Sequence, residues 1–311
     1  MSLPILAAFQ FLLYCELVMT ERWIESTDEP RLFTRAWDAG PGTPAVGIVH
    51  GLGDHTGRWI RVGDTLQRRG LSAYALDLPG HGRSEGKRGH VKSWDDYRRA
   101  LTRWMDAERS DHPERRWALL GHSLGGLIAL DWADRNAARV DALVLSAPPF
   151  ELSLRPAALK VHAARLIGAL WPAFSQSNQI PPSLLSHDPE IIRAHRADTL
   201  VHFRISARLF LELTRMRRTL TSVAARHAIP TLILQGGADP VTRCTGCAAW
   251  ARNARAGVVT YREYPGLFHE VLNEVEGPAI LEDVILWLEQ AIGGPRQEPS
   301  SSISTASPQR R

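Results

Sequence analysis

Ser123, in the sequence G-H-S-L-G of residues 121–125, has the surroundings of a catalytic nucleophile. The apolar run 117–120 predicts a strand directly before it, and residues 124–134 predict a helix directly after it. A sharp strand-to-helix turn presents the serine hydroxyl, and its strained backbone needs glycines that leave room. The N-terminus of the following helix favours negative charge developing there. Alone, the motif also fits a serine that merely caps a helix.

A serine hydroxyl becomes a useful nucleophile only when a base takes its proton, and two later residues fit that need. Asp239 and His269 each follow a predicted strand, at residues 231–235 and 258–264, and open α/β sheets place their sites at such strand ends. Hydrolases with this serine turn carry their triad in the order serine, acid, histidine. Asp77 also follows a strand but precedes Ser123. We therefore predict cleavage of a carboxylic ester, with His269 as the base and Asp239 orienting it.

The transition state of this reaction needs fixed N–H donors for the negatively charged oxygen. The amide after the nucleophile, that of Leu124, is one expected donor, and the loop after the third strand supplies the other. Gly51 and Gly53 allow that loop to turn inward, so the Leu52 amide is predicted as the second donor. We interpret His50 as a structural residue that holds the loop.

Strand and helix patterns alternate from residue 31 to residue 149, which indicates an α/β fold with a mostly parallel sheet and helices on both faces. Later, only helical patterns occur for about 75 residues, so an all-helical insertion is expected. The α/β pattern then returns and ends in a helix. The predicted organisation is an apolar extension, a first core segment, a helical cap, a second core segment and a disordered tail, at residues 1–20, 21–149, 150–226, 227–294 and 295–311.

Composition argues against several other classes of protein. The chain has 311 residues, 37 Lys and Arg against 33 Asp and Glu, and no long basic block, so no nucleic-acid partner is expected. The small excess of positive charge is compatible with a mild attraction of the protein to anionic membrane surfaces. The three cysteines, Cys15, Cys244 and Cys247, are too few for a disulfide framework. The lone C-x-x-C of residues 244–247 lacks further zinc ligands nearby, so no metal site is expected.

Residues 1–19 admit three interpretations. The segment is mostly apolar and uncharged up to Cys15, but it lacks the positive start and cleavage site of a signal peptide. Gln10 and Glu16 interrupt it too often for a transmembrane helix. Translation starting at Met19, an anchor at a membrane interface and a weak export signal all remain open. An intact Met1 in the native protein would exclude the first.

Several motifs together resemble the monoacylglycerol lipase family of α/β-hydrolases, over roughly residues 21–290. They surround the serine motif and continue through the predicted cap to the histidine, at residues 50–59, 77–86, 121–126, 187–190, 198–208, 236–240 and 269–270. The resemblance implies a triad of Ser123, Asp239 and His269, with an oxyanion hole from the Leu52 and Leu124 amides. It also implies a mobile helical cap that meets the membrane and admits a fatty acyl chain, and no metal or organic cofactor.

Apolar residues of the predicted cap are candidates for the acyl-binding surface, although each could instead pack the cap onto the core. They are Leu152, Leu159, Ile167, Leu170, Trp171 and Phe210. The expected substrate is a lipid ester, and release of fatty acid and glycerol from monoacylglycerol is the leading hypothesis. A lysophospholipase or general carboxylesterase with the same triad and a non-catalytic binding protein are the alternatives. We expect a cytoplasmic protein with peripheral membrane contact through the cap.

Overall fold

A mixed sheet of eight strands forms the centre of the computed structural model, which describes residues 19–153, 164, 166–178 and 180–293. Its spatial order is β1-β2-β4-β3-β5-β6-β9-β10. Within this sheet, the pairs β1–β2 and β2–β4 are antiparallel and the other five pairs are parallel. The strands, with a separate pair β7 and β8, are β1 Met19–Ile24, β2 Leu32–Trp37, β3 Ala45–Val49, β4 Ser72–Leu76, β5 Trp117–His122, β6 Ala142–Ser146, β7 Ser175–Ser177, β8 Arg204–Ser206, β9 Thr231–Gly236 and β10 Val259–Tyr264.

Helices cover both faces of the sheet. The α-helices are α1 Ile60–Arg68, α2 Asp95–Asp111, α3 Leu124–Arg135, α4 Pro189–Ala197, α5 Ala207–Thr221, α6 Cys244–Asn253 and α7 Gly277–Ile292. Short 3₁₀ helices occupy Thr56–Trp59, Ala137–Arg139, Pro182–Leu184, Ala224–Arg226 and Val271–Asn273. Buried side chains of α1 and α7 form one apolar layer, and those of α2, α3, α5 and α6 form the other. The predicted α/β fold, a mostly parallel sheet between two helical layers, is confirmed.

The central strands are buried along their whole length, which explains why the sequence shows them as continuous apolar runs. Strand β1 was not predicted, because it lies at the edge of the sheet, has no fully buried residue and so shows no apolar run. Parallel neighbours bring the carboxyl ends of β3, β5, β6, β9 and β10 to one edge. Residues that follow those strands therefore meet there.

The chain between β6 and β9, residues 147–230, is called the insertion below. It is not all-helical as predicted, because β7 and β8 pair in an antiparallel ribbon. Each strand has three residues, too few for the alternation that marks a strand in a sequence. The predicted helix starts at Asp188 and Ser206 are present, and both side chains accept a backbone N–H of the helix they begin.

The insertion lies over the carboxyl edge of the sheet, because backbone hydrogen bonds join it to four of the loops there. Those loops follow β3, β4, β9 and β10. The donor and acceptor pairs are His202 N to Gly53 O at 3.0 Å, Ser206 N to Gly89 O at 2.8 Å, Ser153 N to Val241 O at 3.0 Å, and Glu270 N to Leu185 O at 2.8 Å. Within the described ranges, no helix has the length and apolar character needed to cross a bilayer.

Candidate active site

The turn between β5 and α3 holds Ser123 in a backbone conformation that side chains rarely adopt. Its φ is 52° and its ψ is −117°, in a region that costs a non-glycine residue of order 1–3 kcal/mol. A Cβ at Gly121 would lie 2.5 Å from the carbonyl oxygen of Gly125. A Cβ at Gly125 would collide with the carbonyl oxygens of Val49 and His50. The glycines of the motif are therefore required by the close approach of backbone to backbone.

The structure brings the three predicted triad side chains together in one hydrogen-bonded chain. His269 Nε2 lies 3.0 Å from Ser123 Oγ, and His269 Nδ1 lies 2.8 Å from Asp239 Oδ2. A neutral imidazole with its proton on Nδ1 donates to Asp239 and can accept the serine proton at Nε2. Ser123 is partly exposed, whereas His269 and Asp239 are buried. The arrangement can activate a serine oxygen toward a carbonyl carbon.

Asp239 is held as a carboxylate by several donors besides His269. Its Oδ1 accepts the backbone N–H groups of Val241 and Thr242, at 2.7 and 3.0 Å. Its Oδ2 accepts from Thr242 Oγ1 at 2.6 Å and Gln235 Nε2 at 2.9 Å. Burial alone would raise the pKa of Asp239, but the His269 charge and these donors hold that pKa well below its ordinary value.

The surroundings of His269 suit a general base. Burial lowers the pKa of the imidazole, but the facing Asp239 carboxylate outweighs burial and raises that pKa above its ordinary 6.5. A second imidazole, His122, packs against it with ring centroids 4.9 Å apart. Burial, with the His269 charge, lowers the pKa of His122 to about 4. His122 is therefore neutral near pH 7 and does not replace His269 as the titrating group.

A buried ion cluster, not foreseen from the sequence, joins the loop after β3 to the loop that carries His269. Arg58 donates twice to Glu270, at 3.0 and 2.7 Å, and once to Asp54 at 3.1 Å. Burial would raise the pKa of both carboxyls, but the Arg58 charge holds both pKa values below their ordinary range. Asp54 and Arg58 stand four residues apart, a spacing that hints at a pair, whereas Glu270 is 212 residues away.

The residues predicted for the oxyanion hole belong to two segments that adjoin Ser123. Leu124 is the first residue of α3, directly after Ser123. A Cβ added to Gly51, the residue before Leu52, would lie 3.4 Å from the Ser123 Cβ. His50 anchors this loop as interpreted: its Nδ1 is 2.8 Å from Gly51 O, and its Nε2 accepts the Leu78 N–H at 3.0 Å. The donor role of the two amides stays a prediction.

Only some of the predicted acyl-binding residues are near the triad. Leu152 is half-buried and forms an isolated bridge with Thr242, three residues from Asp239. Ile167 and Phe210 are half-buried, and Leu159 lies outside the described residues. Leu170 and Trp171 are 82% and 63% exposed, so these two do not line an enclosed tunnel. An amphipathic pattern identifies an apolar face but not what covers it.

Asp77 and the two cysteines of the C-x-x-C segment were also noted in the sequence, and the structure shows where they lie. Asp77 is fully buried, and its carboxylate accepts the backbone N–H groups of Thr56 and Arg83, both at 2.7 Å. Cys244 and Cys247 are free thiols in the first turn of α6, and burial raises the pKa of Cys247. In the described part of the chain, no group of three or more His, Cys, Asp or Glu residues is placed to hold a metal ion.

The sheet, the strained serine turn and the hydrogen-bonded triad define the class of α/β-hydrolases. Residues 41–276 match the family described as serine aminopeptidase, S33. A monoacylglycerol lipase of Mycolicibacterium smegmatis is 32% identical over 252 residues, which are 80% of this chain and 90% of that protein. The phospholipase YtpA of Bacillus subtilis is 27% identical, over 82% of this chain and 99% of that protein.

Among solved structures, the monoacylglycerol lipase of Paleococcus ferrophilus superposes with a TM-score of 0.76 at 30% identity. The match covers 84% of this chain and 99% of that chain. The chain belongs to the S33 family of α/β-hydrolases and, within it, to the monoacylglycerol lipase family, as its motifs predicted. It is a serine ester hydrolase.

The protonation state of His269 should set the acidic side of the pH profile. Protonated His269 cannot take the serine proton, so kcat/KM should fall as the pH drops through a midpoint above 6.5. Asp239→Asn should move that midpoint to lower pH, because the charge that raises the pKa is gone. It should also lower kcat on the order of 10⁴-fold. A pH series with a p-nitrophenyl ester measures the midpoint and kcat of both enzymes. If the midpoint does not move in Asp239→Asn, the Asp239 charge does not raise the pKa of His269.

Arg58→Met should destabilise the protein strongly, since it leaves two buried carboxylates without their cation. Loss of one partner of a buried ion pair typically costs about 3–5 kcal/mol in free energy of unfolding. Arg68→Met, at an exposed position of α1, is the matched control and should change this free energy by less than about 0.5 kcal/mol. Urea unfolding measures both; equal effects would show that the cluster adds nothing to stability.

Proposed function

We propose that this enzyme hydrolyses monoacylglycerols to fatty acid and glycerol through an acyl-enzyme on Ser123. The observation that carries the proposal is the continuous chain from Ser123 Oγ through His269 to Asp239, in a family whose members include monoacylglycerol lipases. The sequence similarity extends over most of both chains, so it includes the insertion as well as the core.

In the proposed reaction, His269 Nε2 takes the proton of Ser123 while Oγ attacks the ester carbonyl carbon. The oxyanion of the tetrahedral intermediate accepts the Leu52 and Leu124 N–H groups, and one such donor is typically worth about 2.7–4 kcal/mol. His269 then gives its proton to the glycerol oxygen, which leaves. Water attacks the acyl-serine by the same route and releases the fatty acid. Asp239 stays ionised and stabilises the imidazolium in both steps.

The insertion is proposed to be a cap that receives the acyl chain. Leu152, Ile167 and Phe210 are half-buried apolar side chains on the insertion, and Leu152 is close to the triad. Leu170 and Trp171 face solvent, so we assign them to contact with a lipid surface rather than with the acyl chain. Peripheral contact with a membrane would let the enzyme take a poorly water-soluble ester directly from the lipid phase.

A lysophospholipase is the second candidate, because the phospholipase relative matches over 99% of its own length. Both substrates carry one acyl chain and a polar head, and the triad treats their ester bonds alike. The two substrates differ in the head group, which leaves together with the alcohol oxygen of the ester.

Replacing the nucleophile tests the proposal directly. Ser123→Ala should lower kcat for 1- and 2-monoacylglycerols by roughly 10⁴- to 10⁶-fold, because no oxygen remains for the imidazole to activate. Ser110→Ala, at an exposed site on α2, is the control and should keep full activity. The same assay with lysophosphatidylcholine and short p-nitrophenyl esters ranks the head groups. Retained turnover in Ser123→Ala would refute the mechanism, and a preference for the lysophospholipid would select the second candidate.

The exposed apolar residues should matter only when the substrate is in a lipid phase. Leu170→Ser combined with Trp171→Ser should reduce hydrolysis of monoacylglycerol in vesicles severalfold, because the variant buries less apolar surface on the bilayer. Hydrolysis of a short p-nitrophenyl ester in solution should not change. Leu286→Ser, at a half-exposed position of α7, is the control. Equal losses on both substrates would contradict a surface role and favour packing against the core.

A further inference from the structure

Glu274, just before α7, has a carboxylate that is fully buried. Its Oε1 accepts the backbone N–H of Phe268 at 2.7 Å and lies 2.9 Å from His187 Nδ1. Its Oε2 accepts the backbone N–H of His187 at 2.7 Å. Phe268 is the residue before His269, whereas His187 belongs to the insertion. One buried charge is thus shared between the loop of the catalytic base and the insertion.

Further contacts join the same two segments. Leu185 O accepts the backbone N–H of Glu270, the residue after His269, at 2.8 Å. Ser186 Oγ donates to Asn273 O at 2.8 Å, and the imidazole of His187 packs on the ring of Phe268 with centroids 3.7 Å apart. Three consecutive residues of the insertion therefore hold both sides of His269.

We propose that Glu274 is a positioning residue for His269 and that it makes the proton transfer depend on the docking of residues 185–187. The proposal rests on the catalytic role of Ser123 and His269 in the proposed function. Glu274 does not touch Ser123, so its effect passes through the Phe268 amide and the backbone of the loop. If residues 185–187 withdraw, the carboxylate loses its His187 donors and keeps only Phe268, an unfavourable state for a buried charge.

Loss of the Glu274 carboxylate should slow the chemical step and should not weaken ester binding. The productive distance from His269 Nε2 to Ser123 Oγ is 3.0 Å, and a displacement of about 1 Å can cost on the order of 10²-fold in rate. The Glu274 side chain is fully buried, so we expect no contact between it and the ester. Loss of the carboxylate should therefore lower kcat and kcat/KM by the same factor and leave KM unchanged.

The test uses Glu274→Gln, His187→Ala, their double variant, and Glu276→Gln as an exposed control two residues further along. The readout is the rate constant for labelling of Ser123 by a small fluorophosphonate, per titrated active site, with kcat and KM for a short p-nitrophenyl ester. Glu274→Gln should slow labelling by roughly 10- to 100-fold at unchanged KM. His187→Ala should have a smaller effect, and the double variant should match Glu274→Gln because the two residues act together.

A merely structural Glu274 would lower the number of active sites without changing the rate at each one, and that result would overturn the proposal. Losses that multiply in the double variant would overturn it as well. If Glu274→Gln does not fold, His187→Ala and Ser186→Ala decide: slowed labelling supports the proposal, and the wild-type rate refutes it. Failure of the wild-type enzyme to react would refute the proposed function and this proposal together, whereas normal labelling of a folded Glu274→Gln refutes this proposal alone.

Discussion

The ionised carboxylate of Asp239, buried beside His269, is the interaction on which the rest of the site depends. A buried charge is costly unless it is surrounded by donors, and Asp239 has two backbone N–H groups, a hydroxyl and an amide besides the imidazole. These donors keep the negative charge in place. In the proposed mechanism, that charge fixes the imidazole tautomer and supports its protonated form during the reaction. The order of strands β9 and β10 matters because it brings Asp239 and His269 to adjacent strand ends.

Buried carboxylates surrounded by donors also connect the neighbouring loops to one another. Arg58 neutralises two buried carboxylates from distant parts of the chain, and Glu274 satisfies its charge mainly with N–H groups. Each arrangement joins loops that no strand pairing connects. Buried ion groups are weak evidence for high stability, because desolvation offsets much of their attraction. Their geometric demands are strict, however, and the partners of Arg58 and Glu274 include Glu270 and Phe268, the two neighbours of His269 in the chain.

The sequence was sufficient to predict the α/β fold and to select Ser123, Asp239 and His269 by their order and their places after predicted strands. Ser123 and Asp239 follow buried strands that are visible as apolar runs, whereas His269 follows the half-buried strand β10. The sequence was insufficient for contacts that depend on tertiary structure. Arg58 and Glu270 are 212 residues apart, and no local pattern relates them. The three-residue strands of the insertion fell below the length at which periodicity is informative. The exposure of Leu170 and Trp171 was missed because an apolar stripe does not reveal its partner.

The distribution of contacts in the insertion also indicates which of its segments can open at the lowest free-energy cost. Residues 181–206 are bonded through backbone atoms to the loops after β3, β4 and β10, and each such bond contributes about 1 kcal/mol. Leu166, Leu170 and Trp171 instead carry exposed apolar side chains, whereas the carbonyl groups of residues 172–174 still accept hydrogen bonds from Lys87, Ala207 and Arg208. Low local contact density corresponds to a low free energy of local opening. Within the described insertion, we therefore expect residues 166–171 to open at a lower free energy than residues 181–206, which are bonded to the loops around His269.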